Sequence, residues 1–152
     1  MKRLNGESLP EVEPAVSMLS ALEESVVALI RRLGWKDFEL LCDLILTRAG
    51  WQRVGSLGRT QKTIDIELLS PVTSLRAWAQ VKSQADVETF STYVTEFRSM
   101  SQYREMFFLV HSPSEELETM ETDQNVHLIT GRRLAKLVVA SGLTDWLVQK
   151  VR

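Results

Sequence analysis

The chain has 152 residues, 44% of them hydrophobic and 25% charged, with a formal net charge of −2. That length fits one domain with a real hydrophobic core, and the balance of charge argues against a non-specific nucleic-acid wrapper, so any such contact must use a local patch. The single cysteine, Cys42, excludes an internal disulfide and a cysteine-built zinc site, and no apolar stretch approaches membrane-spanning length.

The opening MKRLNGESLPEVEP is basic at its start but has no apolar run behind it, so it is not a secretory signal and a cytoplasmic location follows by default. Residues 1–14, with Gly6, Pro10 and Pro14, are expected to form a flexible arm, and 15–152 a single domain with an added N-terminal helix. From Ala15 to Leu33, apolar residues recur at helical spacing, placing Val16, Leu19, Leu22, Val26, Leu29, Ile30 and Leu33 on one side, with Gly34 as the stop. A second helix from about Lys36 to Ala49 buries Phe38, Leu41, Cys42, Ile45 and Leu46 and ends at Gly50. Cys42 reads as a small buried hydrophobe.

Trp51 to Val54 is a short strand, the polar GSLGRTQK is a connection, and 63–69 and 75–82 are strands joined by a turn at Ser70 and Pro71. DVETFSTYVTEFRSMSQ reads as a helix with Val87, Phe90, Val94 and Phe97 at near-helical spacing, followed by the covered strand MFFLVHS. The acidic stretch from 112 to 124 holds one or two helical turns. NVHLIT is a last strand, a helix starts near Gly131, and a terminal helix covers Leu143 to Val151. These elements make an α/β domain with a mixed central sheet flanked by helices.

Side chains alternate along a strand. Leu75, Ala77, Ala79 and Val81 therefore share one face, and Arg76, Trp78, Gln80 and Lys82 the other, while Asp65 and Glu67 face away from Ile64, Ile66 and Leu68. Paired as a hairpin, the two segments bring a carboxylate, an amide oxygen and an ammonium to one rim. Phosphodiester hydrolysis needs a nucleophilic water, neutralisation of charge on the phosphoryl oxygens and help for the leaving oxygen. Asp65 suits a hard ion such as Mg²⁺, with Mn²⁺ as a substitute, and Gln80 offers an uncharged carbonyl oxygen. Lys82 would orient the attacking water or stabilise charge in the transition state. Glu39, at the front of the second helix, is a candidate third acid, although a first-turn acid also suits the helix dipole. Glu67 is a further candidate, or a surface carboxylate deeper along the sheet.

The run from Phe38 to Lys82 resembles the Mrr-like branch of the restriction endonuclease superfamily, whose motif pairs an Asp with Glu-or-Gln, any residue, then Lys. The matching elements are Phe38-Glu39, Gly50-Trp51, Ile64-Asp65-Ile66 and Gln80-Val81-Lys82, with Val126 to Gly131 and Leu134-Ala135 resembling the strand and helix that close such folds. The resemblance implies a restriction-endonuclease-like core and a DNA-cleaving activity. It assigns Asp65 as metal ligand, Gln80 as the variant second ligand, Lys82 as catalytic lysine and Glu39 as auxiliary acid. The approach to Asp65 carries one glycine, Gly58, where this branch is usually glycine-rich.

Arg53, Arg59 and Lys62 lie ahead of or in the connection before Asp65, and Arg132, Arg133 and Lys136 cluster at the start of the penultimate helix; each group could meet DNA phosphates. His111 and His127 read as structural histidines. Trp35, Trp51 and Trp146 suit junction packing, and Trp78 lies on the face of Gln80. The expected function is an Mg²⁺-dependent endodeoxyribonuclease acting as a homodimer, since cutting both strands needs two sites. Two other readings are a nuclease-fold DNA-binding or protein-interaction module that has lost cleavage, and a nuclease for branched or single-stranded DNA or RNA.

Overall fold

The computed structural model describes residues 9–55 and 66–152. Asp65, Arg59 and Lys62 lie outside the described residues, as do the first eight residues of the expected arm. In chain order the elements are α1 (Val12–Ile30), α2 (Trp35–Arg48), β1 (Gln52–Gly55), β2 (Ile66–Leu69), β3 (Arg76–Ala85), α3 (Val87–Ser99), β4 (Glu105–Pro113), α4 (Glu115–Glu118), β5 (Val126–Ile129), α5 (Gly131–Ala140) and α6 (Thr144–Val151). Helix α1 starts three residues before Ala15 and takes Pro14 into its first turn, where the missing N–H has no intrahelical partner to lose.

The strands form one mixed sheet in the order β1-β2-β3-β4-β5. The pairs β1–β2 and β2–β3 are antiparallel, whereas β3–β4 and β4–β5 are parallel. Each parallel step is bridged by helix, α3 and then α4, as a crossover requires. Strand β3 runs three residues past the expected end at Lys82, because β4 keeps pairing with it out to Ala85–Pro113.

Local chemistry explains the boundaries. Helix α2 stops where Gly50 adopts a left-handed φ of 101°, letting Trp51 N donate to Leu46 O and Gly50 N to Thr47 O. Asp86 caps α3 by accepting from Thr89 N at 2.8 Å, and that bond holds its carboxyl below the usual range. Gly131 opens α5 pressed against β4: a Cβ there would lie 2.9 Å from His111 O, so a side chain would push the helix off the sheet.

The two faces of the sheet carry different cores. One packs Val26 and Ile30 of α1, the buried side of α2, Ala77 and Ala79 of β3, and Leu134, Ala135 and Val138 of α5. The other packs Trp78, Phe90, Phe97, Tyr103, Met106, Phe108 and Val110 beneath α3. The five residues expected on the buried side of α2 are the five found there.

Two expectations change. Val16, Leu19 and Leu22 are exposed although they continue the apolar stripe of Val26 and Ile30, since α5 and α6 cover only the later part of α1. Trp35 is 65% exposed rather than packed in a junction, with Lys36 Nζ 5.6 Å from its ring. Among the described residues no helix is long and apolar enough to cross a membrane.

Candidate active site

Strand β3 carries Gln80 and Lys82, two of the expected site residues. Its register against β2 sets Ile66 opposite Ala79 and Glu67 opposite Trp78, and against β4 sets Gln80 opposite Phe108 and Lys82 opposite Val110. Alternation then puts Trp78, Gln80 and Lys82 on the α3 face, with Ala77 and Ala79 on the other. This face is covered, not an open rim: Trp78 and Gln80 are both 0% exposed.

Among the described residues two side chains bury polar atoms without a partner, Asp43 through Oδ1 alone and Gln80 through both atoms of its amide. Its Oε1 and Nε2 are buried and have no hydrogen-bond partner among the described residues. An amide left unpaired in an apolar setting costs about 1–3 kcal/mol for each unmet group. A glutamine kept for packing alone would be better replaced by a methionine of similar shape. An oxygen donor with no partner among the described residues fits a hard divalent cation, which would satisfy Oε1 but not the Nε2 donor, and the neutral amide avoids the larger cost of burying a carboxylate.

Lys82, two residues on and less buried, points over the ring of Tyr93 on α3, with Nζ 5.1 Å from the ring centroid. Tyr93 packs on Trp78 at 6.2 Å and on Phe108 at 5.8 Å, so an aromatic bed underlies both Gln80 and Lys82. The helical spacing that picked out Phe90, Val94 and Phe97 passed over Tyr93; the 3-and-4 spacing of Phe90, Tyr93 and Phe97 was the available signal.

Glu67 is engaged elsewhere. Tyr103 Oη donates to its Oε2 at 2.7 Å and Arg76 Nη1 lies 3.4 Å from its Oε1. Burial and the Glu67 carboxylate push the Tyr103 phenol up to about 12, which keeps it a donor at neutral pH. The second candidate carboxylate of β2 thus serves a polar tie across the edge of the aromatic core.

Glu39 sits on α2, whose buried side packs on the opposite face of the sheet. Its Oε1 is 3.8 Å from Arg53 Nη2, and Arg53 Nη1 is 3.4 Å from Asp43 Oδ2. Arg53 therefore neutralises two helix carboxylates one turn apart. Those carboxylates and, above all, burial raise the Cys42 thiol well above its ordinary value, so Cys42 is a neutral core residue.

The basic cluster at the start of α5 is also partly committed. Arg132 reaches Ser20 Oγ at 3.1 Å and Glu24 at 3.7 Å, tying α5 to α1. Arg133 Nη1 donates to Leu128 O at 3.1 Å, and Lys136 is exposed. Helix α5 belongs to the layer of α1 and α2, so this cluster and Lys82 lie in different layers. His111 Nδ1 lies 2.8 Å from Ser112 Oγ with its ring edge-on to Phe38, and His127 Nε2 lies 2.8 Å from Glu105 Oε1; both histidines have structural partners.

Among the described residues no group of three His, Cys, Asp or Glu side chains could hold a metal ion. Gln80 Oε1 is a neutral oxygen that could face a cation, and the ammonium of Lys82 stands nearby as a positive charge and not as a ligand; Asp65, the expected anionic ligand, lies outside the described residues. A family model for restriction endonucleases of the Mrr catalytic type (Mrr_cat) matches residues 30–138, which spans α2 through most of α5. No curated protein and no solved structure matches the chain. A mixed sheet with two antiparallel and two parallel pairings, the Gln80-Val81-Lys82 strand and a family match over more than two thirds of the chain agree: it belongs to the restriction endonuclease family of nucleases.

Proposed function

We propose that the protein is an Mg²⁺-dependent endodeoxyribonuclease in which Asp65 and Gln80 hold the ion and Lys82 assists the chemistry. The observation that carries this reading is the buried amide of Gln80, which has no hydrogen-bond partner among the described residues and stands beside a lysine two residues along the same strand. A divalent ion, Mg²⁺ or Mn²⁺, would supply charge neutralisation at the phosphate and a water of lowered pKa. The protein's own part is placement. Gln80 presents its carbonyl oxygen from a strand fixed on both edges, so the donor needs no reorganisation. The Lys82 ammonium meets the non-bridging oxygens as negative charge grows in the transition state. Glu39, expected as the auxiliary acid, lies on α2 across the sheet from Gln80 and Lys82 and is paired with Arg53, so this scheme gives it no direct part at the ion.

Contacts from Arg53, Arg59, Lys62 and Lys136 to phosphates would position the backbone without reading bases. Cleavage of both strands calls for a homodimer. The exposed early part of α1, where Val16, Leu19 and Leu22 extend the covered stripe, is the apolar surface we assign to that contact.

The test is cleavage of supercoiled, linear, branched and single-stranded DNA, and of RNA, by wild type and Lys82→Ala with Mg²⁺, Mn²⁺ or EDTA. Metal-dependent nicking of duplex DNA that the substitution removes is the expected result. Cutting confined to branched or single-stranded substrates, or to RNA, changes the substrate class. DNA binding without cutting on any substrate makes the chain a nuclease-fold binding module instead.

A further inference from the structure

Three lysines of the described residues lie over aromatic rings, and one of these contacts differs in kind. Lys36 over Trp35 and Lys150 over Trp146 join neighbours on one helix. Lys82 over Tyr93 joins β3 to α3, at 5.1 Å from ammonium to ring centroid. The receiving ring is itself fixed. Tyr93 meets Trp78 at an interplanar angle of 65° and Phe108 at 48°, and both of those rings are 0% exposed. Among the described residues no carboxylate lies within ion-pair distance of Lys82.

We propose that Tyr93 is a positioning residue for Lys82, its ring face holding the ammonium above the aromatic bed so that the charge stands ready for a phosphate. The proposal rests on Lys82 as the catalytic lysine. A lysine stem has four rotatable bonds, and an unheld ammonium spends little time in one place. A carboxylate partner would hold it but cancel the charge that the phosphate needs. The negative face of an aromatic ring attracts the cation and leaves its net charge intact. The ring therefore supplies orientation at no loss of electrostatic pull. The phenol hydroxyl has no part in this, which separates the proposal from a proton-transfer role for Tyr93.

The experiment follows the Lys82 side chain directly and the cleavage rate beside it. With ¹³Cε-lysine in the full chain, the Lys82 resonance, assigned by its loss in Lys82→Arg, should sit upfield of the others through the ring current of Tyr93. Tyr93→Phe should keep both the upfield shift and the rate. Tyr93→Leu should lose the shift and lower the turnover rate roughly threefold to thirtyfold, with KM little changed. Fluorinated phenylalanines at position 93 withdraw ring density with little change of shape, so the rate should fall stepwise with each fluorine. That series decides the matter even where Tyr93→Leu fails to fold.

An unshifted Lys82 resonance in a chain that cuts DNA overturns the positioning role and leaves the nuclease reading standing. So does a flat fluorine series, or a Tyr93→Phe variant as slow as Tyr93→Leu. A shifted resonance in a chain that cuts nothing overturns the catalytic reading of Lys82, and the role of Tyr93 with it, while showing the contact intact.

Discussion

The two faces of the central sheet are built on different terms. The face under α1, α2, α5 and α6 is largely aliphatic, with Ile30, Leu41, Cys42, Ala77, Ala79, Leu134 and Val138 closed against one another. The face under α3 is aromatic, and within it stand a buried amide whose two polar atoms have no partner among the described residues and a lysine whose ammonium lies over a ring. Both faces come from the same strand: Ala77 and Ala79 point one way, Trp78 and Gln80 the other. The first face is read mostly from packing, with the unpaired Asp43 Oδ1 on α2 as its one exception among the described residues. The second carries a cost that packing does not explain, and such local violations are where function is expected.

This contrast can be broken by experiment. The largest expected effect is on chemistry: Lys82→Ala should lower DNA cleavage by about 10²–10³-fold. Its melting temperature should stay near wild type, because Lys82 is only partly buried. Next comes the aliphatic face. Leu134→Ala, at a fully buried position, should cost about 2–5 kcal/mol in denaturant unfolding and leave the rate per folded molecule unchanged. If Leu134→Ala slowed cleavage at fixed folded fraction, the division of labour between the faces would be wrong.

Third, Gln80→Met should abolish metal-dependent cleavage while raising stability by about 1–3 kcal/mol, since it removes the unpaired amide and keeps the volume. The smallest effect concerns pH. Burial, and secondarily the charge of Arg31, lower His111 below its ordinary value of 6.5. The folded state thus binds this proton less readily than the unfolded chain. Its contribution to stability is complete above the unfolded value and is lost as pH falls from about 6.5 through the lower folded value. His111→Gln should flatten that part of the stability–pH curve; an unchanged slope would remove His111 as its cause.

Much of the architecture was legible in the sequence, because its signals are local. The apolar spacing of Phe38, Leu41, Cys42, Ile45 and Leu46 gave the buried side of α2, and the alternation from Leu75 to Lys82 gave the two faces of β3. What the sequence could not supply was the extent of cover. The stripe on α1 is continuous from Val16 to Ile30, but its neighbours reach only the later part, so equal residues end up exposed and buried. Side-chain partners were equally hidden. Arg53 looked free for phosphate and meets Glu39 and Asp43, Arg133 is spent on Leu128 O, and Glu67 is tied to Tyr103 and Arg76. Each of those pairs joins residues distant in the chain or on separate elements, which periodicity does not report. The candidate site was readable as a motif, Gln80 and Lys82 on one face, yet the burial of Gln80 and the ring under Lys82 came only from the fold.

The most direct test of the difference between the faces is thermal unfolding of wild type and Gln80→Met, each with EDTA and with millimolar Mn²⁺. The account predicts that Gln80→Met melts higher than wild type in EDTA, that Mn²⁺ raises the wild type, and that Mn²⁺ leaves Gln80→Met where it was. A Gln80→Met protein that melts lower in EDTA, or gains as much from Mn²⁺ as wild type does, would contradict it: the amide would then be a packed structural group, and not a donor kept open for a metal.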